Sequence, residues 1–120
     1  MRILIADDNQ MVRRGIAALL SSDAECEVCG EAADSPETIS KAANLRPDLI
    51  LLDVSMPGAS GLETARLLRQ QLPSVKILIL SQHDPDQLRA PALEAGAQGC
   101  VDKSRIAADL LSAIKSMFGA

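Results

Sequence analysis

Leu49-Ile50-Leu51-Leu52-Asp53 is an unbroken apolar run that ends on a carboxylate, and Val54-Ser55-Met56-Pro57-Gly58 turns the chain directly after it. Such a run without polar alternation marks a strand buried on both faces, the situation of an inner strand in a parallel sheet. Arg2–Ala6, followed by Asp7-Asp8, and Val75–Leu80, followed by Ser81, read the same way. These three are expected at the centre of the sheet. Glu27–Glu31 and Gln98–Asp102 complete a set of five strand candidates.

Helical periods lie between the strands. Val12, Ile16, Leu19 and Leu20 fall on one helix face, as do Ala107, Leu110, Leu111, Ile114, Met117 and Phe118. Ser35-Pro36 reads as an N-cap with proline at the first helical position, and a third helix over Leu62–Gln71 runs from Gly61 to Pro73. Asp84-Pro85 resembles a cap for a fourth helix, but Pro91 falls in its interior, where proline costs about 3 kcal/mol. That helix is expected to be kinked, shortened or late to start. The whole is an α/β fold: one domain over residues 1–120, a doubly wound five-stranded parallel sheet of flavodoxin-like (βα)5 type, strand order 2-1-3-4-5.

Composition narrows the function. One hundred and twenty residues support one core and no two-domain enzyme. With 48% hydrophobic and 23% charged residues the chain is not of a disordered or fibrous class. Twelve Lys plus Arg against 16 Asp plus Glu leave a net charge of −4, so these residues lack the basic footprint of direct nucleic-acid binding. Phe118 is the only aromatic residue, which removes stacking platforms. Three cysteines, and no signal-peptide or membrane-spanning run at the amino terminus, point to the cytoplasm and to no membrane association.

In an open parallel sheet, ligands bind at the carboxyl ends of the strands where strand order reverses, here between the first and third strands. Asp7, Asp8 and Asp53 arrive there together. Crowded carboxylates take up protons or bind a cation, and Mg²⁺ (or Mn²⁺) suits carboxylates, a carbonyl and waters. Taken singly, each residue could be a cap or a turn residue; their convergence is what a cap does not explain. Ser81 and Lys103 reach the same edge and add a hydroxyl donor and a cation. A phosphoryl group there would have its charge neutralised, leaving the central carboxylate, Asp53, as nucleophile.

Ile5-Ala6-Asp7-Asp8-Asn9, Leu51-Leu52-Asp53-Val54-Ser55-Met56-Pro57-Gly58, Ser81 and Val101-Asp102-Lys103 resemble the receiver domain of bacterial two-component response regulators. Val12-Arg13-Arg14-Gly15-Ile16, Arg46-Pro47-Asp48, Gly61-Leu62-Glu63 and Leu93-Glu94-Ala95-Gly96-Ala97 further resemble the NarL/FixJ subgroup, in which a LuxR-type DNA-binding domain follows the receiver; none follows within these residues. The resemblance implies a CheY-like fold and a phosphorelay in which a sensor histidine kinase phosphorylates Asp53. It implies Mg²⁺ ligation by Asp8, Asp53 and the Ser55 backbone carbonyl, with Asp7 acting through water. Lys103 would contact the phosphoryl oxygens, and Ser81 would move to hydrogen-bond them, altering homodimerisation or partner binding and so transcription. By the same resemblance, Ser55 and His83 occupy positions that set the lifetime of the acyl phosphate, though His83 reads first as an exposed loop residue.

The chain departs from the family at Cys100, where an aromatic switch residue is usual, and at Ser104, which reads as a helix cap in place of a common proline. Cys100 and Pro91 keep a stand-alone or phosphorylation-independent receiver as an alternative. A haloacid-dehalogenase-like phosphatase also uses a nucleophilic Asp after a buried strand, but it needs a second Asp two residues on, where Ser55 stands. A flavin carrier on the same topology would have to seat its phosphate against Asp7-Asp8. The domain is thus expected to be a phosphoacceptor, with self-phosphorylation and autodephosphorylation at most, and not a turnover enzyme. Cys26-Glu27-Val28-Cys29 spells C-x-x-C but reads as two half-buried thiols on a strand, and Arg13-Arg14 as a solvated helix face.

Overall fold

Alternate residues of a strand face opposite sides, so an unbroken apolar strand fills two cores at once. The computed structural model describes residues 1–58, 60–82 and 85–118. Its strands are β1 (Arg2–Ala6), β2 (Glu27–Ala32), β3 (Leu49–Asp53), β4 (Lys76–Ser81) and β5 (Gly99–Asp102). They alternate with α1 (Gln10–Leu20), α2 (Ser35–Leu45), α3 (Gly61–Gln71), α4 (Pro85–Glu94) and α5 (Ile106–Met117), the last entered through a 3-10 turn at Lys103–Arg105. The sheet order is β2-β1-β3-β4-β5, with every neighbouring pair parallel. The three apolar runs are its central strands, as their sequence requires.

Leu4, Ala6, Ile50, Leu52, Ile77 and Ile79 pack with Ala42, Ala65, Leu68 and Ala92 beneath α2, α3 and α4. Ile3, Ile5, Leu49, Leu51, Leu78 and Leu80 pack with Ile16, Leu20, Leu110 and Ile114 beneath α1 and α5. Each of these buried Leu or Ile side chains contributes about 1.5–3 kcal/mol. All five residues of β3 are buried, which holds Asp53 at the centre of the carboxyl edge.

Several local readings shift. Asp34, not Ser35, caps α2, its carboxylate accepting from the Glu37 N–H at 2.8 Å. Ser35 is instead buried, with its Oγ 2.8 Å from Thr64 Oγ1 on α3, while Pro36 sits in the first turn, where its missing N–H is not needed. Asp102, not Ser104, caps the turn into α5: its Oδ1 accepts from Ser104 N at 2.9 Å and Ser104 Oγ at 2.8 Å. β4 starts one residue later than its apolar run, Val75 N donating to Leu72 O in the preceding turn, and ends one residue later, where Ser81 pairs with Asp102 and prolongs the ladder.

α4 begins at Pro85 and runs through Pro91 to Glu94, so it is neither late nor broken, although its ten residues make it the shortest of the five. The bond that Pro91 cannot donate would go to Gln87, an exposed residue. His83 and Asp84 lie outside the described residues. In β2, Ile3 pairs with Val28 and Leu4 with Gly30, so Cys29 is the extra residue of a bulge. Cys26 and Cys29 are half-buried free thiols, both pushed up by burial, as their C-x-x-C was expected to be. Among the described residues no helix is long and apolar enough to cross a membrane.

Candidate functional site

Ala6 pairs with Leu52, so the chain leaving β1 emerges beside the end of β3. This brings Asp7, Asp8 and Asp53 together: one carboxylate oxygen from each lies within 4.8 Å of the others. Asp7 and Asp53 are fully buried and Asp8 is exposed, so the cluster opens on one side.

Hydrogen bonds fix one oxygen of each buried acid. Asp7 Oδ1 accepts from Asn9 N at 2.8 Å, and Asn9 in turn caps α1 through its side chain. Asp53 Oδ1 accepts from the Ser55 N–H at 3.0 Å and the Ser55 hydroxyl at 2.9 Å. The second oxygens, Asp7 Oδ2 and Asp53 Oδ2, are buried without a hydrogen bond. Lys103 Nζ lies 2.7 Å from the first and 3.1 Å from the second. The ammonium thus bridges the two acids as a shared ion pair. Burial pulls the Lys103 ammonium down, but the two carboxylates outweigh it and leave it raised above its ordinary 10.5.

Among the described residues three carboxylates cluster here and the Lys103 ammonium contacts two of them, while Asp7 Oδ2 and Asp53 Oδ2 have no other donor. Buried oxygens of this kind call for a partner. A small hard cation with oxygen ligands fits the donor set, because the acids supply the charge and the open side at Asp8 admits water.

The loop after Asp53 is pinned at both ends. Gly61 N donates to Val54 O at 3.2 Å, and a Cβ on Gly61 would stand 2.3 Å from Val54 Cα, so the approach requires glycine. Ser35 N donates to Pro57 O at 3.2 Å, and Gly58 turns beside it at φ 98°. Ser81 ends β4 next to the Asp53 strand and is fully buried, at the edge where its sequence position put it. Cys100 lies on β5 away from the acid cluster, half-buried, its thiol pushed up by burial.

Two contacts escape the sequence reading. One is the Ser55 hydroxyl on Asp53. The other is Arg13, which is no solvated residue: its side chain is 15% exposed, with Nη1 donating to Asp7 O at 2.6 Å and Nε to Glu31 Oε1 at 2.9 Å. Its signal was present, since Arg13 falls three and seven residues before the buried Ile16 and Leu20, on the same helix stripe.

A parallel doubly wound sheet with an acid cluster and a lysine at its switch point defines a class of phosphate- and metal-handling α/β domains. Within it the assignment is specific: residues 3–115 match the response regulator receiver domain, and the chain belongs to that family. It is 37% identical over 115 residues to the response regulator protein VraR of Staphylococcus aureus, a match covering 96% of this chain and 55% of that protein. The chain thus spans about half the length of the curated relatives it matches. A two-component response regulator of the LuxR family from Aurantimonas superposes with a TM-score of 0.92 at 35% identity, covering 98% of this chain and 84% of the other. The signal receiver domain of the putative response regulator NarL from Mycobacterium tuberculosis gives 0.87 at 31%, covering 97% and 94%. The relatives bear out the likeness to the LuxR-type subgroup. They do not support the dehalogenase-like phosphatase, whose second Asp is missing at Ser55.

Proposed function

We propose that Asp53 accepts a phosphoryl group from a sensor histidine kinase. The observation that carries this reading is Asp53 Oδ2, a buried carboxylate oxygen with no hydrogen bond, facing the Lys103 ammonium beside two further acids. Such an oxygen keeps its lone pairs for attack on phosphorus. In the step, the oxygen–phosphorus bond forms while the phosphorus–nitrogen bond to the kinase histidine breaks, and the imidazole leaves with the electron pair and takes up a proton.

Asp8, Asp53 and the Ser55 carbonyl, with Asp7 acting through water, would hold Mg²⁺, which would supply charge neutralisation for the phosphoryl oxygens. Lys103 exchanges part of its contact with the carboxylates for those oxygens, and Ser55 keeps the other Asp53 oxygen oriented. Ser81 moves to hydrogen-bond the phosphoryl group, biasing a two-state loop that changes partner binding or homodimerisation. The domain stores a signal in the cytoplasm and has no substrate turnover of its own. In a full-length protein it would control transcription through a LuxR-type DNA-binding domain, as the class of its relatives suggests.

Incubation with acetyl phosphate and Mg²⁺, followed by intact-mass measurement, tests this. One phosphoryl adduct is expected, absent when the metal is chelated. No adduct from acetyl phosphate or from phosphorylated histidine kinases would favour a receiver that binds its partner without phosphorylation.

A further inference from the structure

Asp8 is exposed, and among the described residues no hydrogen bond or ion pair holds its carboxylate, yet the cluster needs it aimed at Asp7 and Asp53. Its direction must come from the backbone. The Asp7 carbonyl belongs to the peptide unit that joins Asp7 to Asp8, and a peptide unit is flat and rigid, so fixing that carbonyl constrains ψ of Asp7 and φ of Asp8 together. Arg13 Nη1 holds that carbonyl at 2.6 Å. The preceding peptide is held from the other side, Asp7 N donating to Ala32 O at 3.0 Å.

Arg13 is itself braced. Its Nε donates to Glu31 Oε1 at 2.9 Å, and Lys41 on α2 donates to the Glu31 carbonyl. A planar guanidinium with two fixed acceptors has little freedom to swing, which distinguishes it from its exposed neighbour Arg14.

We propose that Arg13 is a positioning residue for the metal site: it locks the Asp7–Asp8 peptide so that the Asp8 carboxylate points at a cation shared with Asp7 and Asp53. This rests on reading the acid cluster as a Mg²⁺ site. The proposal fixes a sign that plain electrostatics would reverse. Removing a positive charge beside the cluster should, by Coulomb's law alone, tighten cation binding. Loss of positioning should weaken it.

The test is calorimetric titration of Mg²⁺ into wild type, Arg13→Gln and Arg13→Lys, with thermal melts of each in chelator. Glutamine removes the charge and the fork, whereas lysine keeps the charge without the fork. The Mg²⁺ Kd is expected to rise about 10-fold in Arg13→Gln, the scale of outer-shell changes around metals, and by less in Arg13→Lys. At saturating Mg²⁺ the acetyl phosphate adduct should return to the wild-type level in both. An unchanged or lower Kd in Arg13→Gln overturns the proposal, and so does an adduct deficit that persists at saturation. If Arg13→Gln shows no cooperative melt, Arg13→Lys carries the test, and a Kd equal to wild type's overturns it. Failure of the wild type to bind Mg²⁺ overturns the metal-site reading itself; binding by all three proteins alike overturns only the role of Arg13.

Discussion

Around β1 and β3 the carboxyl edge of the sheet is held from every side: Asp7 by Asn9, Ala32 and Arg13, Asp53 by Ser55, and the following loop by Gly61 and Ser35. The α4–β5–α5 side is built differently. It carries a groove of about 520 Å³ lined by Asp86, Arg89, Cys100, Asp102, Arg105 and Asp109. Pro91 interrupts the α4 ladder, and Leu93 is 60% exposed. The contrast shows where fixed geometry is needed. Charges that crowd one edge have to be held in place, whereas the α4–β5–α5 side leaves Leu93 to solvent and can vary in its side chains.

Removing Lys103 breaks the stiff region most directly. Lys103→Met leaves Asp7 and Asp53 buried without their cation, and without added Mg²⁺ the domain is expected to lose about 3–5 kcal/mol in chemical denaturation. Phosphorylation by acetyl phosphate should also slow about 10²-fold, the scale of losing one charge-stabilising donor at a reacting group. Wild-type stability and rate in this variant would show that the bridge is incidental.

The Ser35–Thr64 contact gives a smaller effect. Thr64→Val keeps the shape and removes one hydroxyl of the buried pair, so a loss of about 1 kcal/mol is expected in denaturant titration.

Alkaline pH weakens the Lys103 bridge without mutation. Because Lys103 is raised in the folded state, its contribution is fully present below 10.5 and is lost as pH rises through the raised value. Melting temperature above pH 10.5 should therefore fall more steeply in wild type than in Lys103→Met. Parallel curves would contradict the assignment.

On the variable side, Leu93→Ala should change stability by no more than about 0.5 kcal/mol. Its phosphoryl adduct, measured by intact mass, should be unchanged. A clear loss of adduct would show that the two regions are not separable.

Much of this was legible in the sequence. Unbroken runs ending on Asp53, Asp7-Asp8 and Ser81 specified central strands and put the acids at the switch point, because burial on both faces leaves a signal independent of tertiary detail. The N-caps were less legible: Asp34-Ser35-Pro36 and Asp102-Lys103-Ser104 each offer two capping side chains, and only packing decides. Ser35 is drawn into the core by Thr64, leaving Asp34 to cap α2. Arg13 was misread for a related reason. Its charge suggested solvent, whereas its position on the Ile16–Leu20 stripe directs it inward, where a backbone carbonyl and Glu31 satisfy it.

The chemistry of the domain turns on an acyl phosphate at Asp53. Its most direct test is borohydride reduction of the acetyl phosphate-treated protein, which converts an aspartyl phosphate to homoserine, followed by mass mapping of the tryptic peptides. Homoserine is expected at position 53, with positions 7 and 8 unmodified and no product from Asp53→Asn. Homoserine at position 7 or 8, or an adduct that survives Asp53→Asn, would contradict it.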